Sequence, residues 1–199
     1  PAPISALNTT DSETGAFLTA DCLTLYFASD RAADDGNLDI YAVPHMPEAT
    51  TPWGMPQPVA PLTTAVIEKW LSPCSGGHYV VVQATAAGDT DLFEGTLGSA
   101  APPAPISALN TTDSETGAFL TADCLTLYFA SFHATPERIF LSRRASVGAP
   151  WQAPMRVDDF KIPGGNGAAQ EDPWLSADGR TFAFASDAAG TKDIYLSTR

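Results

Sequence analysis

Short runs of apolar residues, each bounded by turn-forming residues, recur along the whole 199-residue chain. Examples are LTLYFAS at 23–29, HYVVVQAT at 78–85 and RTFAFAS at 180–186. No long segment carries the apolar stripe of an amphipathic helix, and 17 prolines and 15 glycines interrupt the chain. Short apolar runs between turn residues are typical of β-strands. The pattern therefore predicts an all-β protein.

The chain consists of four copies of one unit of roughly fifty residues, a period found in repeat architectures. Each copy is anchored by a leucine that follows an aromatic residue and precedes Ser or Thr. The four anchors are Leu18, Leu71, Leu120 and Leu175. Residues 1–29 and 103–131 are, in addition, identical letter for letter. Such identity beside diverged neighbours indicates either a recent duplication or an engineered sequence.

Every unit contains the same succession of four short strands. The anchor strand is followed by the apolar run, a polar loop and a third strand, such as DIYAV from Asp39 or DIYLS from Asp193. The outer strand opens with a proline, as at Pro58 and Pro154. Proline has no N–H to donate, so it is confined to strand starts and sheet edges. Units of this kind predict a four-bladed β-propeller with four antiparallel strands per blade. A β-sandwich with a similar number of strands is the alternative.

The unit resembles the TolB-type, WD-like β-propeller repeat. The shared features are Leu-Ser-x-Asp-Gly, an apolar strand ending in Ala-Ser, a polar loop and Asp-Ile-Tyr, and they are clearest at 175–199. Cys22 and Cys124 depart from this pattern by replacing the turn glycine, and Arg138 replaces the aspartate of the third strand. The resemblance implies a binding scaffold in the periplasm or outside the cell. Some proteins with this repeat carry lyase or peptidase sites.

The fourth unit stops after its third strand, whereas residues 1–8 repeat the sequence of an outer strand. We therefore expect residues 1–8 to join the last blade and to close the ring, which would leave no exposed sheet edge. The chain would then be a single propeller domain spanning residues 1–199 and a monomer. A larger ring made from two chains is the alternative.

Charge narrows the range of partners. The chain carries 10 Lys and Arg against 23 Asp and Glu, a formal net charge of −13 and a pI of about 4.3. A surface this acidic repels phosphate, which argues against nucleic acid and anionic membranes as partners. No apolar run is long enough to span a bilayer.

Acidic residues precede or open each anchor strand. The inner strands of a propeller line its central channel, so these carboxylates would ring one mouth of it. Converging carboxylates attract hard cations, which makes the mouth a candidate site for calcium or magnesium. The alternative is that the carboxylates cap turns and face water. The candidate ligands are Asp11, Glu13, Glu68, Asp113, Glu115, Glu171 and Asp172.

The three cysteines, Cys22, Cys74 and Cys124, all fall in the turn that follows an anchor strand. An odd number without CxxC spacing argues against a zinc site and against a full disulfide framework. We therefore expect partly buried, unpaired thiols.

The four tryptophans form two pairs. Trp53 and Trp151 lie in proline-containing connections after a third strand, where they could stack on a sugar or a peptide. Packing over the blade edge is the alternative for both. Trp70 and Trp174 directly precede anchor leucines, a position that phenylalanine holds in the other two units, and we expect both in the core between blades.

No nucleophile, metal-hydrolase or cofactor motif occurs in the sequence. We therefore predict a non-catalytic propeller that presents one face or the channel mouth to a protein partner or small ligand. Two alternatives stay open: a carbohydrate-binding, lectin-like propeller and a metal-dependent lyase or hydrolase at the channel mouth. Fold alone does not choose among them.

Overall fold

The structure is a computed structural model that describes residues 3–31, 36–158 and 167–198. Within these residues the chain forms fifteen β-strands and one 3₁₀ turn, Ser75–Gly77. The strands are β1 (Glu13–Leu18), β2 (Thr24–Ser29), β3 (Asp39–Pro44), β4 (Gln57–Pro58), β5 (Glu68–Pro73), β6 (His78–Ala84), β7 (Thr90–Thr96), β8 (Ala104–Pro105), β9 (Glu115–Leu120), β10 (Thr126–Ser131), β11 (Arg138–Arg143), β12 (Met155–Arg156), β13 (Gln170–Leu175), β14 (Thr181–Ser186) and β15 (Asp193–Thr198).

The strands form four antiparallel sheets in chain order: β1–β4, β5–β8, β9–β12 and β13–β15. We call these sheets blades 1 to 4. Successive blades pack face to face, and the inner strands β5, β9 and β13 contact the blade before them. The predicted all-β, four-bladed β-propeller is confirmed. The outer strands are shorter than the sequence suggested, because the chain turns directly after them: the N–H groups of Leu109 and Asn110 both donate to the carbonyl of Ile106.

Each inner strand contains a β-bulge, an extra residue that interrupts its pairing with the second strand of the blade. At the bulge the backbone turns to positive φ, 60° at Gly15 and 53° at Gly117. Blades 2 and 4 have Trp70 and Asp172 at this position, each with φ of 50°. A bulky residue at positive φ is strained, and such outliers concentrate at functional sites.

The anchor leucine does not keep one register in all four blades. Leu18 pairs with the start of β2, but the equivalent position in blade 2 is Pro73, two residues beyond Leu71. Trp70 consequently lies at the bulge and not at the predicted phenylalanine position, which Trp174 does occupy. The physical reason is a shorter spacing between the first glutamate of the strand and the leucine in blade 2.

Apolar layers join successive blades, and each layer includes an apolar residue near the start of a third strand. These residues are Ile40, Leu92 and Ile139, all fully buried. Each also accepts a backbone hydrogen bond of 2.9 Å from the outer strand or the residue after it; the donors are Val59, Ile106 and Val157. In blades 1 to 3, the same residue of the third strand is therefore held in place twice, by burial of its side chain and by a backbone hydrogen bond.

Blade 4 differs from the expectation. Its equivalent residue, Ile194, is 76% exposed, and its sheet has three strands in the described part of the chain. Residues 3–8 form a turn that packs on blade 1, where Ile4 and Leu7 lie against Phe27 and Val43. The predicted closure of the ring by residues 1–8 is therefore not seen in the residues described; residues 1 and 2 lie outside them.

The two identical segments adopt the same strand register. Leu18 pairs with Leu25 as Leu120 pairs with Leu127, and the bulge falls at the same place in both. Identical sequence therefore gives identical strand register in blades 1 and 3, although the residues that follow the two segments differ.

The cysteines are not all unpaired, as the sequence had suggested. Cys74 and Cys124 form a disulfide with a Cα–Cα distance of 5.4 Å, while Cys22 is free and exposed. The expectation overlooked that equivalent turns of adjacent blades lie side by side. The hydroxyl of Ser75 donates to the carbonyl of Ala122 in the same region, which further ties these two turns together.

Candidate functional site

Four inner strands begin at equivalent residues, and three of these are glutamates: Glu13, Glu68 and Glu115. Each glutamate accepts a hydrogen bond from the hydroxyl of the threonine four residues earlier. Glu68 and Glu115 are fully buried, and burial raises both pKa values, that of Glu68 to about 7. These carboxylates hold the loop before each strand and therefore have a structural role.

Glu68 has the least complete set of partners. Its Oε1 accepts from Thr64 and, at 3.0 Å, from the side-chain amide of Gln83. Its Oε2 is buried with no hydrogen-bond partner. An unpaired buried carboxylate oxygen disfavours the ionised form, which accounts for the raised pKa.

Glu13 differs from Glu115, its counterpart in the identical segment, because its pKa is lowered and not raised. Although burial raises its pKa, hydrogen bonds from Thr9 and the nearby charge of Arg31 lower it more. The guanidinium of Arg31 lies 3.1 Å from the carboxylate. Asp11 and Asp113 of the predicted set are exposed, and Asp113 lies 3.5 Å from the ring of His133.

A second group of charges lies where blades 3 and 4 meet, and we call it the Glu137 cluster: Glu137, Glu171, Asp172 and Lys192. Lys192 forms an ion pair with Glu171. Burial raises the pKa of Glu137 to about 7 and also raises the pKa of Asp172; the negative charge of Glu171 adds to both effects. Three carboxyl groups thus share one ammonium group.

Backbone packing holds Asp172 in place. A Cβ atom added to Gly117 would lie 2.8 Å from the backbone nitrogen of Asp172, so only glycine fits there. The Asp172 carboxylate also takes part in a side-chain hydrogen bond with Trp70, which lowers its pKa against the effect of burial. Blades 2, 3 and 4 therefore all contribute to the position of this one carboxylate.

Aromatic rings from equivalent positions of three inner strands lie next to the Glu137 cluster along the strands. The ring centroids are 6.3 Å apart for Phe17 and Phe119 and 6.5 Å apart for Phe119 and Trp174. Trp174 is 46% exposed. The inner strands therefore place an accessible indole two residues from the Asp172 carboxylate.

The predicted metal ligands do not form one site. In the described part of the chain, no group of three or more His, Cys, Asp or Glu residues is arranged to hold a metal ion. Glu13, Glu68 and Glu115 serve the blade starts, Asp11 and Asp113 lie on the surface, and Glu171 and Asp172 join the Glu137 cluster. Sequence analysis missed Glu137 and Lys192, because neither belongs to the acidic pattern before the inner strands.

The two candidate binding tryptophans have different surroundings. Trp151 is 7% exposed, with the guanidinium carbon of Arg144 4.3 Å from its ring centroid and its indole N–H 3.4 Å from a carboxylate oxygen of Glu94. Trp53 is half-buried and stacks on His45, with ring centroids 4.2 Å apart. Trp151 offers little ring surface to a ligand.

A cavity of about 460 Å³ opens between blades 3 and 4. Its apolar wall includes Tyr128, Leu141 and Phe182, and Arg156 and Arg180 also line it. Arg156 forms an ion pair with Asp158. Two of the ten basic residues of this acidic chain therefore border one cavity.

Comparison of the sequence with protein-family profiles and with curated proteins found no match. Comparison of the structure with solved structures did. Putative TolB from Agrobacterium tumefaciens matches 96% of this chain and 63% of its own length, with a TM-score of 0.67 and 14% identity. TolB from Acinetobacter baumannii matches 97% of this chain and 45% of its own length, with a TM-score of 0.64 and 16% identity. An endo-arabinase from Bacteroides thetaiotaomicron matches with a TM-score of 0.58 and 12% identity, covering 92% of this chain and 73% of its own length.

The chain therefore has a TolB-like β-propeller fold and spans less than two thirds of the length of either TolB. Within the described part of the chain, no helix is long and apolar enough to cross a membrane.

Proposed function

We propose that this protein is a non-catalytic binding module that takes a basic group of a protein partner at the Glu137 cluster. The observation that supports this is Asp172, a non-glycine residue at φ of 50° whose carboxyl group is held in partly desolvated surroundings. Positive φ and desolvation both cost folding free energy. Natural proteins tolerate such costs most often where the residue binds something.

Charge and shape support a cationic group as the ligand. The Glu137 cluster has more carboxyl groups than its single ammonium group can neutralise, and the whole chain carries a net charge of −13. An arginine or lysine side chain would add the missing positive charge, and the partly exposed ring of Trp174 is suited to stack on a guanidinium. A long-range negative field would also speed the approach of a basic partner.

Calorimetric titration with a capped tetra-arginine peptide at 0.15 M salt tests the proposal. We expect Glu137→Gln with Asp172→Asn to weaken binding by about tenfold or more, because charge-assisted hydrogen bonds are lost. The control is Asp11→Asn with Asp113→Asn, which removes the same formal charge from the surface and should change the affinity less than about twofold. An equal loss in both double variants would overturn the proposal.

The same titration covers the metal-dependent alternatives. Calcium and magnesium chloride are titrated separately, and the peptide titration is repeated with a chelator. Saturable binding of either cation that Glu137→Gln abolishes, without any binding of the peptide, would favour a cation site and reopen the lyase or hydrolase reading. The carbohydrate-binding alternative would rest on Trp53, because Trp151 is buried. A glycan array that gives no signal with the parent chain counts against it.

The disulfide supports a periplasmic or secreted location. Disulfides persist in oxidising compartments and are rare in the cytosol. To test this, cell fractions are separated, the protein in each is alkylated before or after reduction, and the alkylated thiols are counted by mass spectrometry. We expect one blocked thiol before reduction and three after it, in the periplasmic or extracellular fraction.

The cavity between blades 3 and 4 supports a second candidate ligand, a small aromatic anion. Its volume of about 460 Å³ falls in the range of small-molecule sites. Benzoate should raise the melting temperature of the chain and neutral benzyl alcohol should not. Arg180→Gln should abolish the effect, and an unchanged effect would exclude this role.

A further inference from the structure

Exposed aromatic side chains lie on both of the blades that form the Glu137 cluster. Trp174, two residues after Asp172 in β13, is 46% exposed, and Phe132, in the loop that carries Glu137, is 50% exposed. Single exposed apolar residues are common on protein surfaces. Two exposed aromatic residues on the elements that carry one group of carboxyl groups are typical of a protein-binding site, where aromatic side chains anchor the partner.

The register of blade 3 places Phe132 close to Glu137. Strands β10 and β11 form a hairpin whose last pair is Ser131 with Arg138. Phe132 directly follows this pair and Glu137 directly precedes it, so both residues lie at the same end of the hairpin. From the spacing of paired and of consecutive residues, the Cα atoms of Phe132 and Glu137 are within about 13 Å of each other, which about four extended peptide residues span. One short segment of a partner can therefore reach both side chains.

Phe132 differs from the residues that the other blades have at its position. The position is the one after the residue that pairs with the first residue of the inner strand. In blades 1 and 4 it is an aspartate, Asp30 or Asp187, whose carboxylate accepts a backbone N–H from the residue before the inner strand at 2.7 Å. In blade 2 it is Ala84, whose N–H donates to a backbone carbonyl at the same place. A large apolar side chain is found at this position in blade 3 alone.

The two identical segments show that the fold does not require the phenylalanine ring. Ser12 of the first segment donates its N–H to the carboxylate of Asp30. Ser114, its counterpart in the second segment, instead accepts the N–H of Phe132 through its carbonyl at 3.0 Å. Backbone atoms form this bond, and half of the phenylalanine surface is exposed. A residue that departs from the local pattern without a structural gain is expected at functional positions.

We propose that Phe132 is an apolar contact for the partner of the Glu137 cluster, and that this partner presents a segment in which apolar residues flank an arginine or lysine. The proposal rests on the function proposed above, because the basic residue of the segment binds at the Glu137 cluster. Charge complementarity selects such a segment, since the net charge of −13 attracts basic partners and repels acidic ones. An apolar neighbour of the basic residue then covers Phe132, and the burial of apolar surface adds to the affinity.

Two capped peptides of equal charge test the proposal: four arginines flanked on each side by two leucines, or by two serines. In calorimetric titration at 0.15 M salt, we expect the leucine-flanked peptide to bind the parent chain about tenfold more tightly, because a leucine side chain is buried against Phe132. Phe132→Ala should reduce this preference to less than about twofold and leave the affinity for the serine-flanked peptide unchanged. The variant should melt like the parent, because Ala84 makes the same backbone bond in blade 2.

Val147→Ala is the matched control, since Val147 is 42% exposed in the loop beyond the other end of β11. This variant should keep the tenfold preference for the leucine-flanked peptide. A preference that persists in Phe132→Ala, or a parent that binds both peptides equally, would overturn this proposal and leave the proposed function in place.

Other outcomes separate the two proposals. A parent that binds neither peptide would overturn both of them. So would a serine-flanked peptide that binds the Glu137→Gln with Asp172→Asn variant as tightly as the parent. In light scattering, a double mass that Phe132→Ala reduces to the 20.9 kDa of one chain would mean that a second copy covers Phe132, which would overturn the proposal of a basic and apolar segment.

Discussion

Leu18 and Leu120 occupy the same position in two identical segments, yet Leu18 is 43% exposed and Leu120 is 2% exposed. The difference comes from the neighbouring blade, since the hydroxyl oxygen of Ser72 accepts the N–H of Leu120 at 2.8 Å and apolar residues of β6 cover the side chain. In this fold, local sequence sets the strand and its register, whereas the adjacent blade sets the burial.

This pair gives a matched test of how much a blade contact stabilises the chain. Leu120→Ala should lower the free energy of unfolding by about 2–5 kcal/mol, the cost of a core leucine. Leu18→Ala should cost less than about 1 kcal/mol. Urea unfolding of both variants measures the difference. Equal costs would mean that the flank of blade 1 is already covered.

The disulfide should contribute strongly to stability. Cys74 and Cys124 close a loop with a sequence separation of 50, and the chain-entropy relation then gives about 4 kcal/mol. Under oxidising conditions Cys74→Ser should therefore lower the free energy of unfolding by that amount and shift the urea midpoint downward. Reduction should do the same to the parent, and Cys22→Ser should leave the midpoint unchanged. A parent that unfolds at the same midpoint with and without reductant would contradict this.

Much of the fold follows from local sequence. Turn residues, apolar runs and proline at the outer strands determine strands and blades, because these features act over a few residues. The sequence also contains the cause of the displaced register of Trp70, because Glu68 lies closer to Leu71 than Glu13 lies to Leu18. The repeat alignment hid this difference, because Leu71 follows an aromatic residue and precedes a hydroxyl-bearing residue just as the other anchor leucines do.

The other misses depend on contacts between blades. Cys74 and Cys124 are fifty residues apart, and only the packing of adjacent blades brings them together. Glu137 meets Asp172 across a blade boundary in the same way. Closure of the ring depends on how successive blades stack around the centre, which no single repeat encodes. For this reason, periodicity could predict the blades but not the Glu137 cluster or the exposure of Leu18 and Ile194.

The close contact between Gly117 and Asp172 should make glycine essential at the bulge of blade 3. In Gly117→Ala the new Cβ would lie 2.8 Å from a backbone nitrogen at a φ of 53°, and we expect a loss of about 3 kcal/mol. Gly88→Ala is the control, because it has a positive φ but no atom within 4 Å of the added Cβ, and it should cost about 1 kcal/mol. Thermal unfolding of both variants measures this. Losses of the same size would mean that the contact itself contributes nothing.

Stability should fall as the pH rises from 5 to 8, because two buried carboxyl groups bind their protons more tightly in the folded state. Folding raises the pKa of Glu68 and Glu137 from 4.5 to about 7. Their stabilising contribution is therefore complete below pH 4.5 and is lost as the pH passes 7, at about 3 kcal/mol per group as an upper bound. Urea midpoints measured at each pH should show a shallower decline in Glu68→Gln and Glu137→Gln, so that both variants gain on the parent at pH 8. Asp11→Asn, on the surface, should follow the parent throughout, and a variant curve parallel to the parent would mean that the glutamate ionises at its ordinary pH.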